Sequence, residues 1–386
     1  MRSEMTPRER IEAVFAHRES DRVALYDIIH NIPIMEHFAG EAISPANAFA
    51  ASLRGIGRAL DLTRCIAIPG SGERVHSASQ GFEYSFEWWT FTITKRPYRD
   101  VEHLAECVTR EIDGIYDAMA HGKLTSDAAL IAQLTASDAQ SPDEVHDIYG
   151  KMCKALDPCV LIHPESIVGL TTAYVRAGWE MFIYLMGDEP EVVDRWLTCL
   201  ADYEVWRIHK IADRDLSPVA LVADDLAGKG GLFFSPKWLR QHWFPHAKRC
   251  VDAWHEHGIK VMFHSDGDKM LILDDLVNIG IDAINPIEPT CNMTVGGIKT
   301  RYPDLVVTSM IDCDQLLPFG TPEEVEVACK QAIDDGARGG SFLLGSSSEL
   351  HPDAKLENFL KMREVALGYG QYSNKDRWGA PSWHHR

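Results

Sequence analysis

The chain is short of basic residues: 38 lysines and arginines stand against 57 aspartates and glutamates, for a formal charge of −19. Nucleic acid and anionic membrane both demand clustered Lys and Arg, so neither is expected as a partner. No apolar run approaches the roughly 20 residues that a membrane helix needs. The opening residues, Met1 to Arg10, run into an amphipathic segment without the apolar stretch of a secretion signal, and this predicts a cytoplasmic protein. The nine cysteines include no Cys-x-x-Cys pair, and their odd number suits free thiols in a reducing compartment. Gly-x-Gly-x-x-Gly and the phosphate-loop pattern are both missing, which weakens a nucleotide-binding reading. Gly228-Lys229-Gly230-Gly231 lacks phosphate-loop spacing and reads as a flexible turn.

What is present is a repeating strand–helix rhythm. Thr6-Pro7 reads as a cap and first helical residue, opening a helix to about His17, and residues 22–29 read as a strand. Residues 45–60 look helical and 64–68 like a second strand. Residues 73–97 alternate and are rich in aromatics and threonine, which predicts an inserted β-hairpin or small sheet, placed as a lid or on the flank. From Cys159 onward, strands are expected at 159–163, 218–224, 260–264, 283–285, 305–311 and 341–344. Helices are expected at 171–186, 190–212, 236–257, 271–278, 295–301, 322–335 and 353–367. So many alternating units favour a closed (β/α)8 TIM barrel over a doubly wound sheet, as one domain over 1–372 followed by a tail of 373–386.

In such a barrel the side chains at the C-terminal strand ends converge on one mouth. The most informative stretch is Val261-Met262-Phe263-His264-Ser265-Asp266-Gly267-Asp268, an apolar run ending in a histidine with an aspartate two places on. Strand side chains repeat with period two, so His264 and Asp266 leave on one side. An imidazole beside a carboxylate binds a metal, moves a proton or holds a polar substrate. His30, Asn31, His163, Glu165, Asp224, Asp225, Asn285, Glu288, Asp312, Cys313, Ser346 to Ser348 and His351 join it at predicted strand ends.

Thr6-Pro7-Arg8-Glu9-Arg10, Phe234-Ser235-Pro236, His264-Ser265-Asp266-Gly267, Ile284-Asn285-Pro286 and Gly320-Thr321-Pro322-Glu323-Glu324-Val325 carry a resemblance. With Gly339-Gly340, His351-Pro352 and Glu357-Asn358 following in order, the chain resembles the uroporphyrinogen decarboxylase superfamily, most strongly over residues 217–372. The resemblance implies a (β/α)8 barrel with its site at the mouth. The porphyrinogen decarboxylases carry an arginine-rich segment after the first strand. Here Asp27 to Ile34 holds no arginine, which counts against an octa-acid substrate.

The superfamily's other branch holds corrinoid-dependent methyltransferases. Its thiol-activating members are implied to hold zinc through His-x-Cys and a distant Cys. This chain matches at His264 alone, with Asp266 in the first Cys position and Ser346 to Ser348 at the second, so thiol activation is disfavoured. The resemblance then implies transfer of a methyl group from a small methoxy or methylamine-type donor to the cobalt of a corrinoid protein. No Asp-x-His-x-x-Gly signature is present, so the corrinoid should arrive on a partner. His264, Asp266 and Asp225 are the expected catalytic residues, with His30, Asn31, His163, Asp224 and Glu288 around the substrate. A metal, zinc being the candidate, would draw on His264, Asp266, Cys291 and Cys313. Trp88, Trp89, Trp243 and Phe244 are candidate apolar walls, and a homodimer is allowed for. The alternatives are a decarboxylase or lyase acting on a smaller acid, and a barrel that binds a corrinoid or porphyrin without turning it over.

Overall fold

Val219 to Ala223 is buried at every position, and its side chains part by alternation. Val219, Leu221 and Ala223 join an inner cluster with Tyr26, Leu62, Val160, Met262, Ala283, Val306 and Leu343. Ala220 and Val222 join the outer cluster with Val261, Phe263, Ile284, Val307 and Phe342. Such two-sided burial belongs to a parallel sheet covered by helices, and each buried Val or Leu contributes about 1.5–3 kcal/mol. The inner cluster is the filled interior of a barrel.

The computed structural model describes residues 4–64, 66–70, 75–79, 81–88, 90–125 and 139–381. The main sheet has nine strands, ordered Val160–Leu161, Leu62–Thr63, Ala24–Asp27, Phe342–Leu344, Val306–Thr308, Ala283–Asn285, Lys260–His264, Val219–Ala223 and Ser166–Ile167. The first and last are two halves of one stave, interrupted at Pro164. The Ile162 amide donates to Thr63 O and the His163 amide to Val219 O, which closes the ring on both sides of that stave. The result is a (β/α)8 barrel, as the sequence rhythm predicts.

Lys260–His264 and Ala283–Asn285 have the predicted bounds, and Pro190–Ile211 and Pro322–Gly336 lie within a residue of theirs. The second strand is Leu62–Thr63 and not 64–68, which frees Arg64 to turn into the mouth. The helix expected at 171–186 is two, Leu170–Ala177 and Trp179–Asp188, broken at Gly178 with φ 73°. The one expected at 236–257 breaks at Trp243, just before Pro245, into Pro236–His242 and Phe244–Glu256. The predicted insert is a three-stranded antiparallel sheet, Val75–Ser79, Phe82–Glu87 and Thr90–Lys95. Residues 73, 74, 80 and Trp89 of that prediction lie outside the described residues. The glycine-rich turn is a tight hairpin, Ala227–Gly228 against Gly231–Leu232. Among the described residues no helix is long and apolar enough to cross a membrane.

Candidate functional site

His264 follows Met262 by two residues on a strand, so its side chain shares Met262's inward face. In the parallel register it lies between Ala223 and Asn285, one residue before the loops that form the mouth. Its Nδ1 lies 2.6 Å from Asn285 Oδ1, and Asn285 Nδ2 donates to Ser309 Oγ at 2.7 Å, which orients that amide. Arg64 Nη2 stands 3.2 Å from the same Nδ1. A guanidinium has only donors, so one ring nitrogen cannot serve both contacts; the shorter, to an acceptor, takes the proton. Nε2 is then left as a lone pair.

That lone pair faces two carboxylates. Asp266 Oδ1 is 3.7 Å from Nε2 and Asp225 Oδ1 is 4.0 Å away, both too long for hydrogen bonds. The three ligand atoms lie within 4.8 Å of one another, a grouping of His, Cys, Asp and Glu that no other trio of the described residues matches. Burial, and then the Arg64 guanidinium, hold the His264 imidazole well below its ordinary pKa, so at neutral pH it is uncharged. Burial raises the Asp266 carboxyl, with Lys269 opposing. Asp266 Oδ1 is buried without a hydrogen-bond partner. A neutral nitrogen lone pair and two carboxylate oxygens turned towards one point are mutually unfavourable until a cation or proton lies between them.

Two loops place these groups. The Asp225 amide donates to Thr171 Oγ1 at 2.7 Å, and Tyr174 donates its hydroxyl to Asp225 O at 3.1 Å. The Asp266 amide points to Asp225 Oδ1 at 3.3 Å, and Ser265 Oγ accepts the Leu226 amide at 2.9 Å. Gly267 turns with φ 80°, and a Cβ there would stand 2.4 Å from Gly228 N. Only glycine permits both the turn and that approach. Glu288 Oε1 accepts the Gly267 amide at 2.7 Å and so clamps the same turn from the next loop.

The other predicted site residues lie apart from this trio. Asp224 is fully buried: its two oxygens accept the Gly169, Leu170 and Thr171 amides, and Trp243 Nε1 donates to it at 2.7 Å. It caps a helix and ties down Trp243, so Trp243 is core and no wall of the mouth. Asn31 caps Ile32–Ala39 through Ile34 N and donates to three carbonyls, of His351, Pro352 and Ala354. His163 points outward, its ring between Tyr149 and Trp254 at 5.0 and 4.9 Å and its Nε2 on Asp213 O. His30 sits on the far rim, 3.0 Å from Glu349, with the Trp88 ring 6.1 Å away.

The cysteines expected as metal ligands, Cys291 and Cys313, are not among the grouped atoms of the trio. Cys291 donates its Sγ hydrogen to Glu288 Oε2 at 3.4 Å, and Cys313 Sγ accepts from Ser347 Oγ at 3.4 Å. Burial raises both thiols, Cys313 to about 11, so both are protonated near neutral pH. Ser346 is committed elsewhere as well, donating to Asp27 Oδ1 at 2.6 Å. Asp225 completes the trio instead.

Two residues at the site escape sequence reasoning. Arg64 is buried against His264, with its guanidinium also on Glu165 and on Tyr26 OH. Lys269 is fully buried, donates to Gly267 O at 3.1 Å and is pushed down to about 8 by burial despite nearby Glu288 and Asp266. Asp268-Lys269 reads as ordinary solvated charge; only the backward turn at Gly267 tucks the lysine under the site.

Comparison with known proteins agrees with this architecture. A family model described as Uroporphyrinogen decarboxylase (URO-D) matches residues 164–369. A methylcobamide:CoM methyltransferase, MtbA, of Methanosarcina mazei is 24% identical over 182 residues, 46% of this chain. That match spans half the length of the relative, 50%. A solved methyltransferase from Methanosarcina mazei superposes with a TM-score of 0.64 at 13% identity, over 94% of this chain and 98% of that one, a likeness of fold.

Proposed function

The chain belongs to the uroporphyrinogen decarboxylase (URO-D) family, and within it we propose a methyl-transfer enzyme that passes a methyl group from a methoxy or methylamine-type donor to the cobalt of a separate corrinoid protein. The name of the MtbA relative supports methyl transfer to or from a corrinoid, and the mouth supports the donor side of it. The carrying observation is the trio Asp225, His264 and Asp266, without a thiolate.

The trio fits a divalent cation. His264 offers a neutral nitrogen whose tautomer Asn285 sets, and Asp266 offers a buried oxygen that no hydrogen bond satisfies. One imidazole and two carboxylates are a harder set than zinc–thiolate, suited to zinc, manganese or iron and poor for activating a thiol. When bound, such an ion supplies Lewis acidity to a donor oxygen or nitrogen, which leaves badly as an anion. The chain's own groups orient that centre: Thr171 and Tyr174 hold the Asp225 backbone, and Glu288 and Lys269 hold the turn that carries Asp266. His264, kept uncharged beside Arg64, is better suited as a ligand than as a general acid.

Decarboxylation of a polyacid lacks support, because the guanidinium at the mouth, Arg64, is committed to Glu165 and Tyr26. The test is spectroscopic. Purified protein, a divalent metal, reduced cobalamin or corrinoid protein and a methylated donor should yield the methylcobalamin spectrum, and Asp266→Asn should lose it. A spectrum unchanged with every methoxy and methylamine donor, while coproporphyrin or a smaller acid is decarboxylated, would overturn the reading.

A further inference from the structure

A cavity of about 780 Å³ lies on the outer flank of the Val160–Leu161 and Ser166–Ile167 stave. Helices Val101–Ala120, Pro142–Leu156, Leu170–Ala177 and Pro190–Ile211 contribute most of the rest of its wall, with Ile66, Phe82, Pro97 and Tyr98. That volume is in the range of small-molecule sites, about 300–1,000 Å³. Its lining is largely apolar, with Phe82, Leu104, Ile115, Leu161 and Trp196 prominent. Gly114 lines it too, and a Cβ added there meets nothing within 4 Å.

The cavity and the trio share a thin partition. Glu165 lines the cavity and pairs with Arg64, whose other arm reaches His264 Nδ1 at 3.2 Å. Gly169 and Thr172 also line it, and they flank Thr171, whose hydroxyl holds the Asp225 amide. An ion pair and one turn of helix therefore separate the apolar space from the site.

Building on the methyl-transfer reading, we propose that this cavity holds the body of the methyl donor, and that the donor is the methyl ether of a flat apolar ring system. A methylated amine would bring an ammonium into a space whose carboxylates, Glu111, Glu165 and Glu204, are each already paired with an arginine, so its lost hydration is poorly repaid. It would also leave most of the space unfilled. A methoxy-substituted ring buries its faces on Phe82, Leu161 and Trp196 and turns a neutral oxygen to the Glu165–Arg64 pair at the boundary with the trio. In the transfer the O–CH3 bond breaks with its electron pair kept by oxygen, which takes a proton from water to give the phenol. The new Co–CH3 bond uses the electron pair of reduced corrinoid cobalt, a two-electron oxidation of that metal.

The test uses 2-methoxynaphthalene, with binding read by tryptophan fluorescence and calorimetry on the full chain. Wild type should bind it saturably, and trimethylamine should not displace it. Gly114→Phe, which intrudes on the cavity from its exposed edge, should weaken binding by about tenfold or more and leave manganese or zinc binding at the trio unchanged. Gly114→Leu, a smaller fill, should fall between and serves if the larger variant does not fold. No saturable binding, equal affinity in the filled variants, or displacement by trimethylamine overturns the proposal. If the ether binds and Gly114→Phe rejects it, yet no methyl reaches cobalt, the pocket stands and the methyl-transfer reading falls. If trimethylamine is demethylated equally by wild type and Gly114→Phe, methyl transfer stands and this pocket is not its donor site.

Discussion

Asn285 lies directly beside His264 across the parallel ladder, and its side-chain oxygen sits 2.6 Å from the imidazole Nδ1. The contact decides which ring nitrogen faces Asp225 and Asp266. Replacing the partner that orients a metal-binding histidine typically lowers metal affinity by about 10–100-fold. Asn285→Leu should show that loss in zinc or manganese calorimetry with the circular dichroism spectrum intact. Undiminished affinity would mean that Asn285 does not set the tautomer.

Asp266 should show effects of opposite sign on stability and on binding. Its Oδ1 is buried without a partner, burial raises its carboxyl, and Asp225 stands nearby. Asp266→Asn should raise the stability of the metal-free protein by about 1 kcal/mol, as relief of a strained functional site does. The same change should weaken divalent-cation binding at least about tenfold. Denaturant melts with and without metal check both. A variant that loses stability and binding together would point to a structural carboxylate.

Asp224 adjoins Asp225 in sequence, yet its removal should act on folding alone. Its carboxylate satisfies three helix-opening amides and the Trp243 indole. Asp224→Ala should cost about 3 kcal/mol, because several buried donors are left unpaired. Metal affinity per folded molecule should stay within about a factor of three. Urea melts and calorimetry on the same preparation separate the two quantities.

His163 gives a pH dependence of definite sign. Burial between Tyr149 and Trp254 pushes its imidazole down to about 4, below the unfolded value near 6.5. Its stabilising contribution is complete above pH 6.5 and is lost as pH falls towards 4, by roughly 3 kcal/mol. His163→Phe keeps the stacking and removes the titration. The stability difference between pH 7 and pH 4.5 should therefore shrink in that variant. An unchanged acid limb would place the titration elsewhere.

Much of the barrel is legible because its strands obey simple rules. Lys260–His264 is bounded by His257-Gly258 before it and a turn glycine after it, and its continuous apolar run suits a strand buried on both faces. The capping box of Thr321 with Glu324 marks its helix as plainly. The breaks at Gly178 and Trp243 are less visible, since apolar spacing continues across both. His264 and Asp266 are legible together, the first ending a strand and the second two residues beyond it. Choosing between Asp224 and Asp225 is harder, because adjacent residues diverge and only packing shows which one meets the Leu170–Ala177 helix. Arg64 is hidden because the second strand starts two residues earlier than its pattern suggests, at Leu62, and is over by Thr63. The cysteines were plausible ligands by position in the chain, but burial keeps them as thiols.

The contact of Gly267 with Gly228 is backbone against backbone, reinforced by Ser265 on Leu226 and by the Asp268 amide on Gly228 O. The loops bearing Asp225 and Asp266 are thus a single mechanical unit, although about forty residues separate them. Grafting either loop alone into a related barrel would move one carboxylate without the other. A donor scaffold would have to receive residues 224–234 and 264–269 together, as one block, to reproduce the spacing around His264.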